Sequence, residues 1–190
     1  MKILLLDNYD SFTYNLLHYL EKIEEVEVSV ILNDEIDLGA IESFDAVVLS
    51  PGPGLPKEAG KLLKVIQIAI DCEKPILGVC LGMQALAVHF GVELYNQEMV
   101  KHGVSEKCYI SNQLSIFREI PSEINVGLYH SWAVKSELNI DLIPLAFSEN
   151  NVLMALQHRS KRIYAVQFHP ESILTEFGNK MIENFVILAK

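Results

Sequence analysis

The chain predicts an α/β fold, an open and mainly parallel sheet with helices on both faces plus a small antiparallel extension. Three observations lead there. Over the first ninety residues buried-strand runs alternate with helix-period stretches, the rhythm of parallel strands joined by helical crossovers. From about residue 92 shorter alternating runs, divided by turn residues, replace it. The 190 residues, half of them apolar, show no repeat, linker or low-complexity tract, which suits a single domain over 1–190 around one core.

Residues 3–6 (Ile3, Leu4, Leu5, Leu6) form a continuous apolar run, as expected of a strand covered on both faces. Residues 12–23 are amphipathic and supply the first helix, and 26–32 and 44–49 the next two strands. A second helix over 59–72 carries Leu62, Leu63, Val65, Ile66, Ile68 and Ala69 at helical spacing. Residues 76–79 are a fourth strand, followed by a helix-like stretch over 83–90. Runs at 107–111, 125–129, 142–147, 152–158 and 163–168 read as antiparallel strands between turns such as Glu149-Asn150-Asn151. A helix over 176–189, with Phe177, Met181, Phe185, Val186 and Leu188 as apolar positions, ends the chain.

Bulk properties exclude several classes. A net charge of -10 argues against sequence-independent nucleic-acid binding, which needs a basic surface. No apolar run approaches bilayer length, and the N-terminus, with one cation and a short run ending on Asp7, reads as a strand rather than a signal peptide. The three cysteines at 72, 80 and 108 have no metal-type spacing and are odd in number. Neither a disulfide framework nor a metal site is expected, and a reducing cytoplasm is the natural compartment. Cys72 and Cys108 read as packing residues.

The chemistry centres on Cys80. Gly78-Val79-Cys80-Leu81-Gly82 lies between a strand and a helix, the context of a nucleophile elbow written with cysteine for serine. A free thiol titrates near ~8.5, so it needs an adjacent base. His169 is the candidate, and Glu171, two residues on, is expected to share its side of an extended segment across Pro170 and to orient the ring. Leu81 opens the helix after the elbow, leaving its N–H free for an oxyanion. Ser50-Pro51-Gly52-Pro53-Gly54-Leu55-Pro56 follows a strand at the same sheet edge and offers a second donor, a rigid turn being the plain alternative. It is not a phosphate loop, because no Gly-Lys-Ser/Thr follows. His18 and His89 fall in helix patterns, whereas His102, His130 and His158 flank strands and are rival bases, His130 the strongest.

Together these residues resemble the class I, triad-type glutamine amidotransferases, in particular the small subunits of anthranilate synthase and aminodeoxychorismate synthase. The matching motifs are Asp7-Asn8-Tyr9-Asp10-Ser11-Phe12-Thr13-Tyr14-Asn15-Leu16, Ser50 to Gly54, Gly78 to Gly82, Tyr129-His130-Ser131 and Gln167-Phe168-His169-Pro170-Glu171-Ser172. The resemblance implies a flavodoxin-like fold and a Cys80–His169–Glu171 triad that hydrolyses L-glutamine through a thioester without a cofactor. It implies that Gly52, Pro53, Gly54 and Leu81 surround the oxyanion and that Gln84, Ser131 and Trp132 bind glutamine. It also implies a partner, the chorismate-binding large subunit of a synthase, with residues 8–14 at the interface. Met83 stands where the family usually has histidine, and Trp132 where leucine is common. Other readings are an amidotransferase subunit for another acceptor, such as one in nucleotide synthesis, or a regulatory subunit without turnover. A flavodoxin-like electron carrier is disfavoured, because no Ser/Thr/Gly phosphate cradle follows the first strand.

Overall fold

The computed structural model describes residues 1–190, the side chain of Met99 excepted. In chain order the first half holds β1 (Lys2–Asp7), α1 (Thr13–Glu21), β2 (Glu27–Leu32), β3 (Ala46–Leu49), α2 (Leu62–Asp71), β4 (Ile76–Val79) and α3 (Leu81–His89). The second holds β5 (Leu94–Ile110), β6 (Glu123–Val134), β7 (Leu142–Ser148), β8 (Leu153–His158), β9 (Ile163–Val166) and α4 (Gly178–Ala189). All nine strands join one sheet in the order β2-β1-β3-β4-β9-β8-β7-β5-β6. Pairings are parallel from β2 to β9 and antiparallel beyond.

The two-residue strand period divides the core between the faces. Ile3 and Leu5 of β1, with Ala46 and Val48 of β3, pack beneath α1 and α4 through Leu16, Leu20, Met181, Ile182 and Phe185. Leu4 and Leu6, with Val47 and Leu49, face α2 and α3 through Leu62, Val65, Ile66 and Leu86. The inner parallel strands β1, β3 and β4 are therefore buried on both sides, which is why their sequences read as unbroken apolar runs, while the edge strand β2 is only half-buried.

The antiparallel part is larger than a small extension. β5 spans 17 residues and β6 spans 12, where the sequence showed strands only at 107–111 and 125–129. Register shifts between Asn96/Lys101 and His102/Val104 interrupt the β5–β6 ladder, and such bulges break the alternation that marks a strand in a sequence. Among the described residues no helix is long and apolar enough to cross a membrane.

Candidate active site

Cys80 stands between the end of β4 and the start of α3 with φ 51 and ψ -102, a left-handed conformation that costs a non-glycine residue about 1–3 kcal/mol. Close packing holds it there. A Cβ on Gly78 would lie 2.7 Å from the Gly82 backbone, and one on Gly82 would lie 2.6 Å from the Leu49 carbonyl oxygen. Both flanking positions therefore accept only glycine. The Cys80 N–H donates to the Val166 carbonyl at 2.8 Å, which ties the elbow to the end of β9.

Beyond β9 the chain does not remain extended, contrary to the expectation for residues 169–171. The Ser172 N–H returns to the His169 carbonyl at 3.1 Å, making a turn with Pro170 at its second position, where a fixed φ suits it. Within this turn His169 Nδ1 donates to Glu171 Oε1 at 2.7 Å, and the two side chains are 2% and 0% exposed. The His–Glu contact thus comes from a tight turn rather than from strand alternation.

The electrostatics follow from this enclosure. Burial pushes the His169 imidazole down, but the neighbouring Cys80 and Glu171 more than offset this and raise it. His169 Nε2 forms no aligned hydrogen bond, so the influence of Cys80 is that of a close partner rather than of a formed bond. Burial pushes the Glu171 carboxyl up, opposed by His169. Among the described residues, the buried side-chain polar atoms without a hydrogen-bond partner are Ser115 Oγ, His130 Nε2, His169 Nε2 and Glu171 Oε2. Such orphans are rare, a catalytic role being one reason for them, and two of the four belong to the His169–Glu171 pair.

The loop after β3 meets the elbow. Gly52 packs so closely that a Cβ would fall 2.6 Å from Asn8 and 2.8 Å from the Leu81 side chain, and Gly54 has φ +73. Pro53 lies between them, and a short 3-10 turn at Pro56–Glu58 follows. Asn8, 2% exposed, holds this loop. Its N–H donates to Ser50 Oγ at 2.8 Å, its Nδ2 donates to the Ser50 carbonyl at 2.9 Å, and its Oδ1 accepts from Asn33 at 3.0 Å. Leu81 is the first residue of α3, so its N–H has no partner within the helix.

Gln84 is buried, its Nε2 donating to the Trp132 carbonyl at 2.9 Å and to Gln167 Oε1 at 3.3 Å. Gln167 Nε2 in turn approaches Cys80 Sγ at 3.6 Å. Ser131 and Trp132 lie on β6 beside His130 and are half-buried. Trp132 and Leu55 help line a cavity of about 700 Å³ beside α3. Met83 is fully buried and packs in the apolar layer with Leu81 and Leu86. Of the rival bases, His158 Nδ1 accepts the N–H groups of Ser160 and Lys161 and so caps a turn. His130 donates from Nδ1 to the Trp132 carbonyl at 2.9 Å, and burial lowers its pKa to about 4. The same low affinity for protons makes it a poor acceptor in catalysis.

Three neighbours of the pair escaped the reading of the sequence. Phe12 and Tyr129 place their rings against His169, with centroids at 5.4 and 4.8 Å. Thr175 Oγ1 donates to the His169 carbonyl at 2.6 Å. The available signal was that Phe12 and Tyr129 sit inside motifs otherwise rich in polar residues. Cys72 is half-buried and Cys108 buried, both free thiols, and burial pushes Cys108 up to about 12. Among the described residues no group of three or more His, Cys, Asp or Glu could hold a metal ion.

Comparison with known proteins gives the arrangement its context. The sequence profile of the family "Glutamine amidotransferase class-I" matches residues 4–189. The chain is 41% identical to anthranilate synthase component 2 of Lactococcus lactis subsp. lactis, covering 97% of this chain and 93% of that one. It is 43% identical to aminodeoxychorismate synthase of Streptomyces griseus over 97% of this chain, a match that spans 26% of that protein. Among solved structures, a Thermoplasma acidophilum protein provisionally described as a GMP synthase subunit superposes with a TM-score of 0.90 at 30% identity, covering 100% of this chain and 94% of that one.

Proposed function

The chain belongs to the class-I glutamine amidotransferase family, and from that premise we propose that it is the glutaminase subunit of a chorismate-aminating synthase, in the role of anthranilate synthase component II. The observation that carries the reading is the elbow cysteine facing a buried His169–Glu171 pair. The component II relatives, matched over nearly their whole length, supply the acceptor.

In this reading His169 takes the proton of Cys80, and Sγ attacks the side-chain amide carbon of glutamine. The tetrahedral oxyanion is met by backbone N–H groups of Leu81 and of the Gly52-Pro53-Gly54 loop, donors of the kind that stabilise such intermediates by about 3–4 kcal/mol each. The amide nitrogen leaves as ammonia with the proton held by His169, giving a glutamyl thioester. Water, activated by the same imidazole, releases glutamate and restores the thiol. Glu171 keeps the ring oriented and stabilises the imidazolium. Gln84, Ser131 and Trp132 bind the glutamine. The large synthase subunit binds chorismate and receives the ammonia, and residues 8–14 contribute to the interface.

A second reading, the same role in aminodeoxychorismate synthase, is favoured by the 43% identity to the Streptomyces protein. One experiment serves both. Ammonia release from glutamine is measured for wild type and Cys80→Ser, alone and with each type of synthase subunit plus chorismate. Release that rises with one of the two partners and falls by on the order of a thousandfold or more in Cys80→Ser supports the triad and identifies the partner. No release from the folded wild type in any demonstrated complex would overturn the glutaminase.

A further inference from the structure

We propose that Phe12 is a positioning residue for His169 and the contact through which the exposed segment 9–14 acts on that imidazole. The single hydrogen bond from Nδ1 to Glu171 anchors one edge of the ring, while Nε2 has no aligned partner. One bond leaves the tilt of the ring open. Two aromatic side chains close it, Tyr129 at 4.8 Å and 62° and Phe12 at 5.4 Å and 70°, themselves 5.0 Å apart. Edge-to-face contacts of this kind have a preferred geometry, so the three rings constrain one another.

The two supports differ in how they are held. Tyr129 belongs to β6, pairs with His102 across the ladder and bonds Ser172 Oγ through its hydroxyl at 3.0 Å. Phe12 has only its backbone, whose N–H donates to Asp10 Oδ1 at 2.8 Å where α1 begins. The connection before it is folded around Asp7, which accepts from the Tyr9 and Asp10 N–H groups and from the Thr13 hydroxyl. Tyr9 and Tyr14 flank it on the surface at 55% and 63% exposure, and Tyr9 is in the left-handed region at φ 63. Phe12 and Thr13 are thus the inward-reaching residues of a short outward-facing segment, Thr13 bonding Asp7 and Phe12 meeting His169. A body seated on Tyr9 and Tyr14 bears on the one ring support that no side-chain bond holds in place.

The turnover arm of this inference rests on the glutaminase reading, and an alkylation arm does not. Phe12→Leu keeps apolar bulk without the ring, and Phe12→Tyr restores the ring. Both are measured as the full chain for glutamine-dependent ammonia release, with and without the synthase subunit plus chorismate. Cys80 alkylation by iodoacetamide is followed in parallel by mass spectrometry on the chain alone. Phe12→Leu is expected to lower kcat about tenfold or more with KM for glutamine within about twofold, the scale of a small misplacement of a reacting group. Cys80 alkylation slows with it, stimulation by the synthase subunit shrinks, the thermal midpoint stays put, and Phe12→Tyr restores all three. Wild-type alkylation in Phe12→Leu, unchanged stimulation, or equal losses in the Leu and Tyr variants would overturn the proposal. Should wild type release no ammonia while alkylation still depends on the ring, the glutaminase fails and the positioning role stands.

Discussion

Replacing Gly178 by alanine should cut turnover although the residue touches none of the reacting groups. Gly178 is the first residue of α4, and a Cβ there would fall 1.7 Å from the Pro170 carbonyl oxygen and 2.7 Å from its carbon. Relief to ordinary van der Waals separation needs a movement of roughly 1.8–2.3 Å, given a contact optimum of about 3.5–4.0 Å. Pro170 is the central link between His169 and Glu171, so a shift of the loop displaces the pair from Cys80. A misplacement of about 1 Å commonly costs on the order of a hundredfold in rate, which sets the expected loss in kcat for ammonia release. Overpacking also costs about 1–3 kcal/mol, or roughly 2–12 °C in thermal midpoint for a chain of this size. Helix propensity alone would give the opposite sign, since alanine is favoured over glycine by about 1 kcal/mol inside a helix. The assay pairs steady-state ammonia release with a thermal melt. A variant with wild-type kcat and an unchanged or raised midpoint would refute the reasoning, and a lowered midpoint with wild-type kcat would show that α4, not the turn, yields.

Three further outcomes follow from the same geometry. Asn8→Ala strips the Ser50 carbonyl and Asn33 Nδ2 of a buried partner and should cost about 2–4 kcal/mol by denaturant unfolding, with a rise in KM or a loss of kcat as the Gly52–Gly54 loop loosens. His130 titrates at about 4 in the fold against 6.5 when free, so the unfolded chain binds more protons in between. Its contribution is complete above pH 6.5 and is lost as pH falls toward 4, by up to about 3 kcal/mol. Urea midpoints at pH 7 and 5 should therefore converge in His130→Asn, and an unchanged pH slope would contradict this. Brief iodoacetamide treatment of the folded chain should leave Cys108 unmodified, because burial holds its thiol up to about 12. Peptide mapping by mass spectrometry reads this directly.

What the sequence made legible was local. The elbow is five residues long, and four of them have their own reason to be there: Gly78 and Gly82 for close backbone approach, Cys80 for the thiol at the apex of the turn, Leu81 for the first helical N–H. The parallel strands β1, β3 and β4 were equally plain, because burial on both faces leaves apolar runs with few rivals, whereas β9, expected among the antiparallel strands, pairs parallel with β4 on one side and antiparallel with β8 on the other. The His-Pro-Glu segment was expected to be extended and is a turn, since Pro170 is compatible with both an extended segment and the second position of a turn. The long antiparallel ladder was hidden by its bulges. Least legible were contacts between distant residues, such as Gly178 on Pro170 or Phe12 on His169, for which no periodicity exists.

The bulged ladder also explains what the antiparallel wing contributes. The His169 N–H donates to the Gly127 carbonyl at 3.1 Å, and the Gly127 N–H donates to Thr175 Oγ1 at 2.9 Å. Asn125 adds three links, accepting from the Glu176 N–H at its carbonyl and donating to the Glu176 carboxylate from its own N–H at 2.7 Å and its Nδ2 at 3.3 Å. A Cβ on Gly127 would press on Ser172 Oγ at 2.9 Å. The outermost strand of the sheet is therefore folded back onto the segment that follows β9, and β6 serves as a second wall for the turn carrying His169 and Glu171. A parallel sheet alone would present that turn as a free loop at a strand end, with nothing to hold the buried His169–Glu171 pair in register with Cys80. Loops that must fix a group to within about half an ångström need such support from rigid elements. The length of β6, paired with β5 from Glu123 to Val134, thus supports the His169–Glu171 turn as well as the core, and shortening the β5–β6 ladder should reduce kcat for ammonia release before it reduces the amount of folded protein.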